Sequence, residues 1–277
     1  MSFSPNSPSS SGLKQEPGPS PVASAPLDPL IVYRGISKSF NDKAVIQELD
    51  LDIFPGETLV VLGRSGQGKT VLTSMLVGLT QPDSGSLTVA GVELTRLQSD
   101  AEWRELRLKT GYLFQGSALY DFMTVGENVA FPMEQQTDLP PEEIARRVKE
   151  KLAQVDLADV ENLEPDALSG GMQRRAALAR SLSLDPHIII YDEPTSGLDP
   201  ITGDEIGHLI RHLQEALKVT SIVVTHDLRL TEQVADRVAL LYKGKLVFLG
   251  AYQELLISDH PEARRFLLKD TEEETQQ

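Results

Sequence analysis

Gly63-Arg64-Ser65-Gly66-Gln67-Gly68-Lys69-Thr70 follows directly on the apolar run Thr58-Leu59-Val60-Val61-Leu62. The octapeptide matches G-x-x-x-x-G-K-[ST], in which glycines let backbone N–H groups turn inward and cradle phosphate oxygens. A continuously apolar run of this length reads as a strand covered on both faces. A helix opening near Gly68 would aim its positive dipole end at the same loop. In this pattern Lys69 bridges β- and γ-phosphates, and the Thr70 hydroxyl coordinates Mg²⁺. A glycine-rich turn that merely happens to precede a lysine is the competing reading, and the strand in front argues against it. The stretch is a nucleotide site, with all eight residues from Gly63 to Thr70 as its expected lining.

Three further stretches bear on what the loop does. Leu168-Ser169-Gly170-Gly171-Met172-Gln173 stands ahead of a helical pattern with Ala176, Leu178, Ala179 and Leu182. Ser-Gly-Gly at a helix start offers N–H groups and a hydroxyl to an anion; taken alone it reads equally as an N-cap with flexible glycines. Ile188-Ile189-Ile190-Tyr191-Asp192-Glu193 puts Asp192 at the carboxyl end of a buried strand, where open α/β sheets bind ligands. One acid there suits Mg²⁺, and the adjacent Glu193 suits activation of a water. Ser196-Gly197-Leu198-Asp199 comes next, and the strand Ser221-Ile222-Val223-Val224 leads to a lone His226. An isolated histidine is usually a satisfied structural residue. At the end of a buried strand, in this order of motifs, it reads as functional.

The remaining patterning predicts an α/β protein with a mostly parallel sheet. Leu49-Asp50-Leu51-Asp52-Ile53 alternates strictly, so one face of that strand should be wet. Turn chemistry at Pro82-Asp83-Ser84-Gly85 and Ala90-Gly91 brackets Ser86–Val89 and suggests a small antiparallel meander. From Pro141 to Asp156, Ile144, Val148, Leu152 and Val155 share one helical face, with Pro141 suited to the first turn.

Composition excludes several classes. The 277 residues carry 41 acidic and 26 basic side chains, a net −15, whereas a nucleic-acid partner needs a cationic surface. With no cysteine there is neither a disulfide scaffold nor thiolate chemistry, which fits a reducing compartment. No apolar run approaches the ~18 residues that cross a bilayer. Residues 1–29 hold eight Ser and seven Pro, no apolar core and one basic residue, Lys14, so they read as a disordered, dispensable tail rather than a signal peptide or a docking arm. Asp270-Thr271-Glu272-Glu273-Glu274 reads as a solvated acidic tail.

Taken as an ordered set, these motifs resemble the nucleotide-binding subunit of ABC transporters across residues 30–256: Walker A at 63–70, a glutamine loop at Gln115, the L-S-G-G-M-Q signature at 168–173, Walker B at 188–193, S-G-L-D at 196–199 and a switch histidine at 226. The resemblance implies a P-loop NTPase of the ABC ATPase fold: a RecA-like core, an antiparallel β subdomain and a helical subdomain at about 116–180, followed by a short extension at 257–277. It implies ATP and Mg²⁺ as cofactors, and an aromatic stacked on adenine upstream of Walker A. Phe40 occupies that place, against a plainer reading as a core aromatic at a strand end.

The resemblance also implies a mechanism. Two subunits would meet head to tail around two ATP molecules, Walker A of one facing Ser169, Gly170, Gly171 and Asp199 of the other. Glu193 would act as general base, His226 would contact the γ-phosphate, and Gln115 would sense Mg²⁺ and the attacking water. A separate integral-membrane permease would receive the motion, placing the subunit peripherally on the cytoplasmic face of the inner membrane. The stretch Leu113–Met133, with G-S-A-L-Y and N-V-A-F-P, together with R-R-A-A-L-A-R at 174–180 and L-D-P-I-T at 198–202, is similar to ATPases of the Mla type, which serve phospholipid-trafficking systems with MCE-type proteins. The alternatives are the ATPase of a polar-solute importer, for an amino acid or osmolyte, and a soluble ABC protein of DNA repair or translation. The first often carries a regulatory C-terminal domain, and the second usually carries two cassettes or a coiled coil.

Overall fold

The computed structural model describes Met1 and residues 28–274; the expected Ser/Pro-rich tail falls almost wholly outside the described residues. The chain runs β1 (Ile31–Phe40), β2 (Lys43–Ile53), β3 (Thr58–Leu62), α1 (Lys69–Ser74), β4 (Ser84–Val89), β5 (Val92–Glu93), α2 (Asp100–Leu108) and β6 (Thr110–Leu113). The α-helices α3 (Val125–Gln136), α4 (Pro141–Gln154) and α5 (Gly170–Ser181) follow. Then come β7 (Ile188–Asp192), α6 (Pro200–Leu217), β8 (Thr220–Thr225), α7 (Leu228–Val234), β9 (Arg237–Tyr242), β10 (Lys245–Gly250), α8 (Tyr252–Leu256) and α9 (Pro261–Glu274).

Six strands form one sheet in the order β10-β9-β3-β8-β7-β6, parallel except where β10 turns back on β9. The apolar runs behave as a sheet covered on both faces requires. Along β3, Val60 and Leu62 join one hydrophobic core while Leu59 and Val61 join the other. Ile189 and Tyr191 of β7 likewise pack opposite to Ile188 and Ile190. The first core takes in α3, α4, α5 and α6; the second takes in α1 and the antiparallel sheet β2-β1-β4-β5.

That second sheet is the expected meander, enlarged. Its β2 buries Leu49, Leu51 and Ile53 and leaves Asp50 exposed, as the alternation requires. It also contains β1, whose register on β2 breaks at three places between Tyr33 and Ser39, so its sequence carries no clean period-two signal. Helix α4 starts with Pro141 at its first turn and buries Ile144, Val148 and Leu152, matching the sequence reading. The extension past residue 256 is helical from Pro261 onward where it is described. Ala263 and Phe266, three apart on α9, are buried in the first core, and the helix carries the backbone through to Glu274.

Because the central strands are parallel, the segments that follow β3, β6, β7 and β8 emerge at one end of the sheet. That end collects Gly63–Gly68, Gln115, Glu193 and His226.

Candidate nucleotide site

The loop between β3 and α1 is shaped by its glycines. Gly68 caps α1 at φ 97°, and a Cβ there would stand 2.7 Å from Ile46 Cδ1 and 2.8 Å from the Val45 carbonyl. Only glycine fits. The Gln67 side-chain oxygen accepts the backbone N–H of Lys243 in the β9–β10 turn, and that turn is in turn bonded to β2 through Gln47.

Lys69 is 5% exposed, and its ammonium donates to the carbonyls of Gly63 at 2.6 Å and Arg64 at 3.3 Å. It also pairs with Glu193 Oε1 at 3.2 Å. Three donors thus meet three acceptors, so the buried charge is fully compensated. Thr70 Oγ1 donates to Asp192 Oδ1 at 3.2 Å, joining Walker A to the end of β7. Glu193 sits just past the strand at φ 49°, a left-handed conformation that costs a non-glycine residue energy and clusters at functional sites. Its backbone N–H is tied to the Val224 carbonyl at 2.8 Å, and its Oε2 lies 2.9 Å from His226 Nδ1. His226 is therefore no isolated histidine: since a carboxylate only accepts, Nδ1 carries the proton, which leaves Nε2 without a protein partner among the described residues.

The electrostatics follow from this geometry. Burial alone would raise the Glu193 carboxyl, but the His226 hydrogen bond and the Lys69 charge outweigh it and hold the carboxyl below its ordinary range. Reciprocally, the Glu193 hydrogen bond raises His226 above its ordinary value. Asp192 moves the other way, raised by burial, with the neighbouring Glu193 charge adding to the effect.

Other expected residues stand apart. Gln115 is exposed, two residues past the end of β6, and no side-chain partner is seen for it among the described residues. Phe40 ends β1 in a tight hairpin whose Asn41 and Asp42 are both left-handed; its ring is 46% exposed with Lys38 Nζ 5.3 Å from the centroid. This overturns the plainer reading of a core aromatic. Ser169 caps α5, its hydroxyl accepting the Met172 N–H at 3.3 Å. The adjoining glycines pack on the S-G-L-D loop and the start of α6: a Cβ on Gly170 would stand 3.5 Å from Leu198, and one on Gly171 2.6 Å from Thr202. Asp199 caps α6 through Thr202, whose two hydrogen bonds hold its carboxyl low. No hydrogen bond or ion pair joins Ser169–Gly171 or Asp199 to the phosphate loop among the described residues.

One residue at the site escaped the sequence reading. The Tyr112 hydroxyl lies 3.3 Å from Asp192 Oδ2, delivered by β6, which pairs with β7 so that Tyr112 stands beside Ile190. Its own segment gives no sign of this, because the two strands are far apart in the chain.

Comparison with known proteins places this geometry. The sequence profile of the ABC transporter family matches residues 46–196. The chain is 39% identical over 242 residues to the "Probable ribonucleotide transport ATP-binding protein mkl" of Mycobacterium leprae (strain TN), covering 87% of this chain and 70% of that one. It is 38% identical over 238 residues to the intermembrane phospholipid transport system ATP-binding protein MlaF of Haemophilus influenzae, covering 86% and 90% respectively. Among solved structures, the ATP-binding cassette MJ0796, dimeric in a post-hydrolysis state bound to ADP and Pi, superposes with a TM-score of 0.73 at 29% identity, over 80% of this chain and 98% of that one. The chain belongs to the ABC transporter family, as an ATP-binding cassette that hydrolyses ATP, built on the ABC ATPase fold.

Proposed function

We propose that this cassette works as a head-to-tail dimer that closes on two ATP molecules, spends them through Glu193, and drives a separate membrane permease for a hydrophobic cargo. One observation carries the catalytic part. Lys69, Thr70, Asp192, Glu193 and His226 form a single bonded constellation, while Ser169–Gly171 lies outside it. A loop of exposed N–H groups with no phosphate site of its own chain beside it finds one on a second copy, and MJ0796 is a dimer. The sandwich is the arrangement that uses both halves.

Within it, Lys69 would hold the β- and γ-phosphates, and Phe40 would stack on the adenine. The hairpin carrying Phe40 lies against the phosphate loop through Val45 and Ile46, next to Gly68. Thr70 Oγ1 and Asp192 Oδ1 are hard oxygen donors of the kind Mg²⁺ prefers and would hold it beside the phosphates. The bound ion would offset charge on the phosphates. Glu193, kept ionised by His226 and Lys69, is equipped to take or orient the proton of an attacking water. The free Nε2 of His226 would meet the γ-phosphate, and Gln115 would close the site from the β6 side. Arriving phosphate must compete with Glu193 for Lys69. ATP entry would therefore release the base at the moment it is needed.

No helix among the described residues is long and apolar enough to cross a membrane; in this reading the cassette sits peripherally on the permease. The face after Gln115 suits that contact, with Tyr120 39% and Phe122 77% exposed. We take 30–256 as the ATPase domain, with α3 to α5 at about 116–180 as its helical part. The MlaF likeness supports a phospholipid cargo, and an MCE-type partner is the expectation that goes with that cargo; the second reading, a polar solute, is favoured by the name of the M. leprae relative. Light scattering at high protein and ATP concentration tests the dimer. Glu193→Gln should accumulate ATP-dependent dimers, and adding Ser169→Arg should abolish them; dimers that ignore Ser169→Arg would overturn the sandwich. Co-purification tests cargo class, since recovery of a permease with an MCE-type protein supports lipid and recovery with a soluble amino-acid-binding protein refutes it.

A further inference from the structure

The carboxylate of Asp192 is gripped on both oxygens. Thr70 donates to Oδ1 at 3.2 Å, and the Tyr112 hydroxyl lies 3.3 Å from Oδ2. An ionised carboxylate can only accept, so Tyr112 must give it the single hydrogen of its phenol. Thr73 Oγ1 stands 3.1 Å from the same phenol oxygen and 3.2 Å from the Thr70 carbonyl, so its one hydrogen is shared between the two. The result is a chain of contacts from Thr73 through Tyr112 to Asp192, in which the phenol gives its hydrogen to the carboxylate. Its far end is rigid, because Thr73 is fully buried on α1. The tyrosine ring is held too, stacked on Phe114 with centroids 4.3 Å apart and planes 23° from parallel.

We propose that Tyr112 is a positioning residue for Asp192, fixing the plane in which that carboxylate and Thr70 Oγ1 together meet a nucleotide-bound divalent cation. The inference rests on the reading of Asp192 given above. The terminal torsion of an aspartate is broad and roughly two-fold, so a carboxylate held on one oxygen alone can swing. A second donor on the other oxygen removes that freedom before the cation arrives. Hydrogen-bond partners behind a metal ligand typically change metal affinity by 10–100-fold. Tyr112 joins β6, which leads into Gln115, to the end of β7, so the same phenol ties the glutamine loop to the cation side of the site.

The test uses Mn²⁺ as probe, followed by its electron paramagnetic resonance signal, with the full chain and a non-hydrolysable ATP analogue. Tyr112→Phe keeps the ring and its stack and removes only the hydroxyl. The apparent Kd for Mn²⁺ should rise about tenfold, while analogue affinity measured in chelator stays at the wild-type value. Thr73→Val should shift Mn²⁺ in the same direction by less, and Thr73→Ser should restore it; this pair carries the test if Tyr112→Phe does not fold. Mn²⁺ affinity within about twofold of wild type in both Tyr112→Phe and Thr73→Val would overturn the proposal. Asp192→Asn separates the two levels of the argument. If it too binds Mn²⁺ like wild type, the site reading fails; if it alone loses Mn²⁺, only the role of Tyr112 fails.

Discussion

Exchanging Glu193 for glutamine should do two opposite things to the nucleotide cycle. Hydrolysis should fall by about 10²–10⁴-fold, the usual worth of a general base. ATP should bind more tightly. The second effect follows from the ion pair between Lys69 and Glu193, 3.2 Å long with both side chains nearly out of solvent. In the nucleotide-free protein that pair occupies a donor the phosphates require. The amide keeps a hydrogen bond to the charged ammonium but loses the attraction between two opposite charges; within the range of about 1.5–3 kcal/mol for bonds to charged groups, that loss is about 1–1.5 kcal/mol. That difference opposes ATP in the wild type and largely disappears in the variant, which is close to tenfold in affinity. Calorimetry with Mg²⁺ and ATP gives the affinity, and phosphate release gives the turnover. The nucleotide-free variant should also melt a few degrees lower, about 2–4 °C per kcal/mol for a domain of this size. Affinity equal to or weaker than wild type would refute the competition, and undiminished phosphate release would remove Glu193 from the chemistry.

Phe40→Ala should weaken ATP binding less than loss of Lys69 does and narrow the preference for ATP over GTP; unchanged base discrimination in a competition assay would contradict the stacking role. His226 has its pKa raised by Glu193 above the ordinary 6.5, so their bond stabilises fully below that pH and fades as pH climbs through the raised value. Glu193, depressed below its ordinary 4.5, loses its share only as the pH falls through that lowered value. Melting temperature should accordingly decline more between about pH 6 and about pH 8.5 in wild type than in His226→Gln, and parallel slopes would contradict the pairing. Gly68→Ala forces a methyl group to 2.7 Å from Ile46 Cδ1 at φ 97°, which should destabilise by about 1–3 kcal/mol and abolish nucleotide binding; wild-type denaturant stability would show that the loop relaxes freely.

The sequence exposed what is local. Walker A is a contiguous strand, loop and helix start, so its chemistry is legible in eight letters. The acids ending β7 and the periodicity of α4 are legible for the same reason. What the sequence hides is pairing across distance. Glu193 and His226 each read as candidates, but nothing in either segment shows the 2.9 Å bond between them. Tyr112 looks like any strand tyrosine until parallel pairing sets it beside Ile190, two residues short of Asp192 along the neighbouring strand. Strand β1 hides behind its own register breaks, and nothing in the composition of the C-terminal segment singles out Ala263 and Phe266 as the residues of α9 that enter the core.

Gln67 gives the phosphate loop a reporter. Its side chain takes the amide hydrogen of Lys243, an exposed residue remote in sequence, in the β9–β10 turn. An amide in such a turn would ordinarily trade its hydrogen with water at close to the free rate. Here it exchanges only when Gln67 lets go, and Gln67 lets go when the loop loosens. The exchange lifetime of this single amide therefore measures the opening free energy of the loop, before and after nucleotide, from a residue that plays no part in the chemistry.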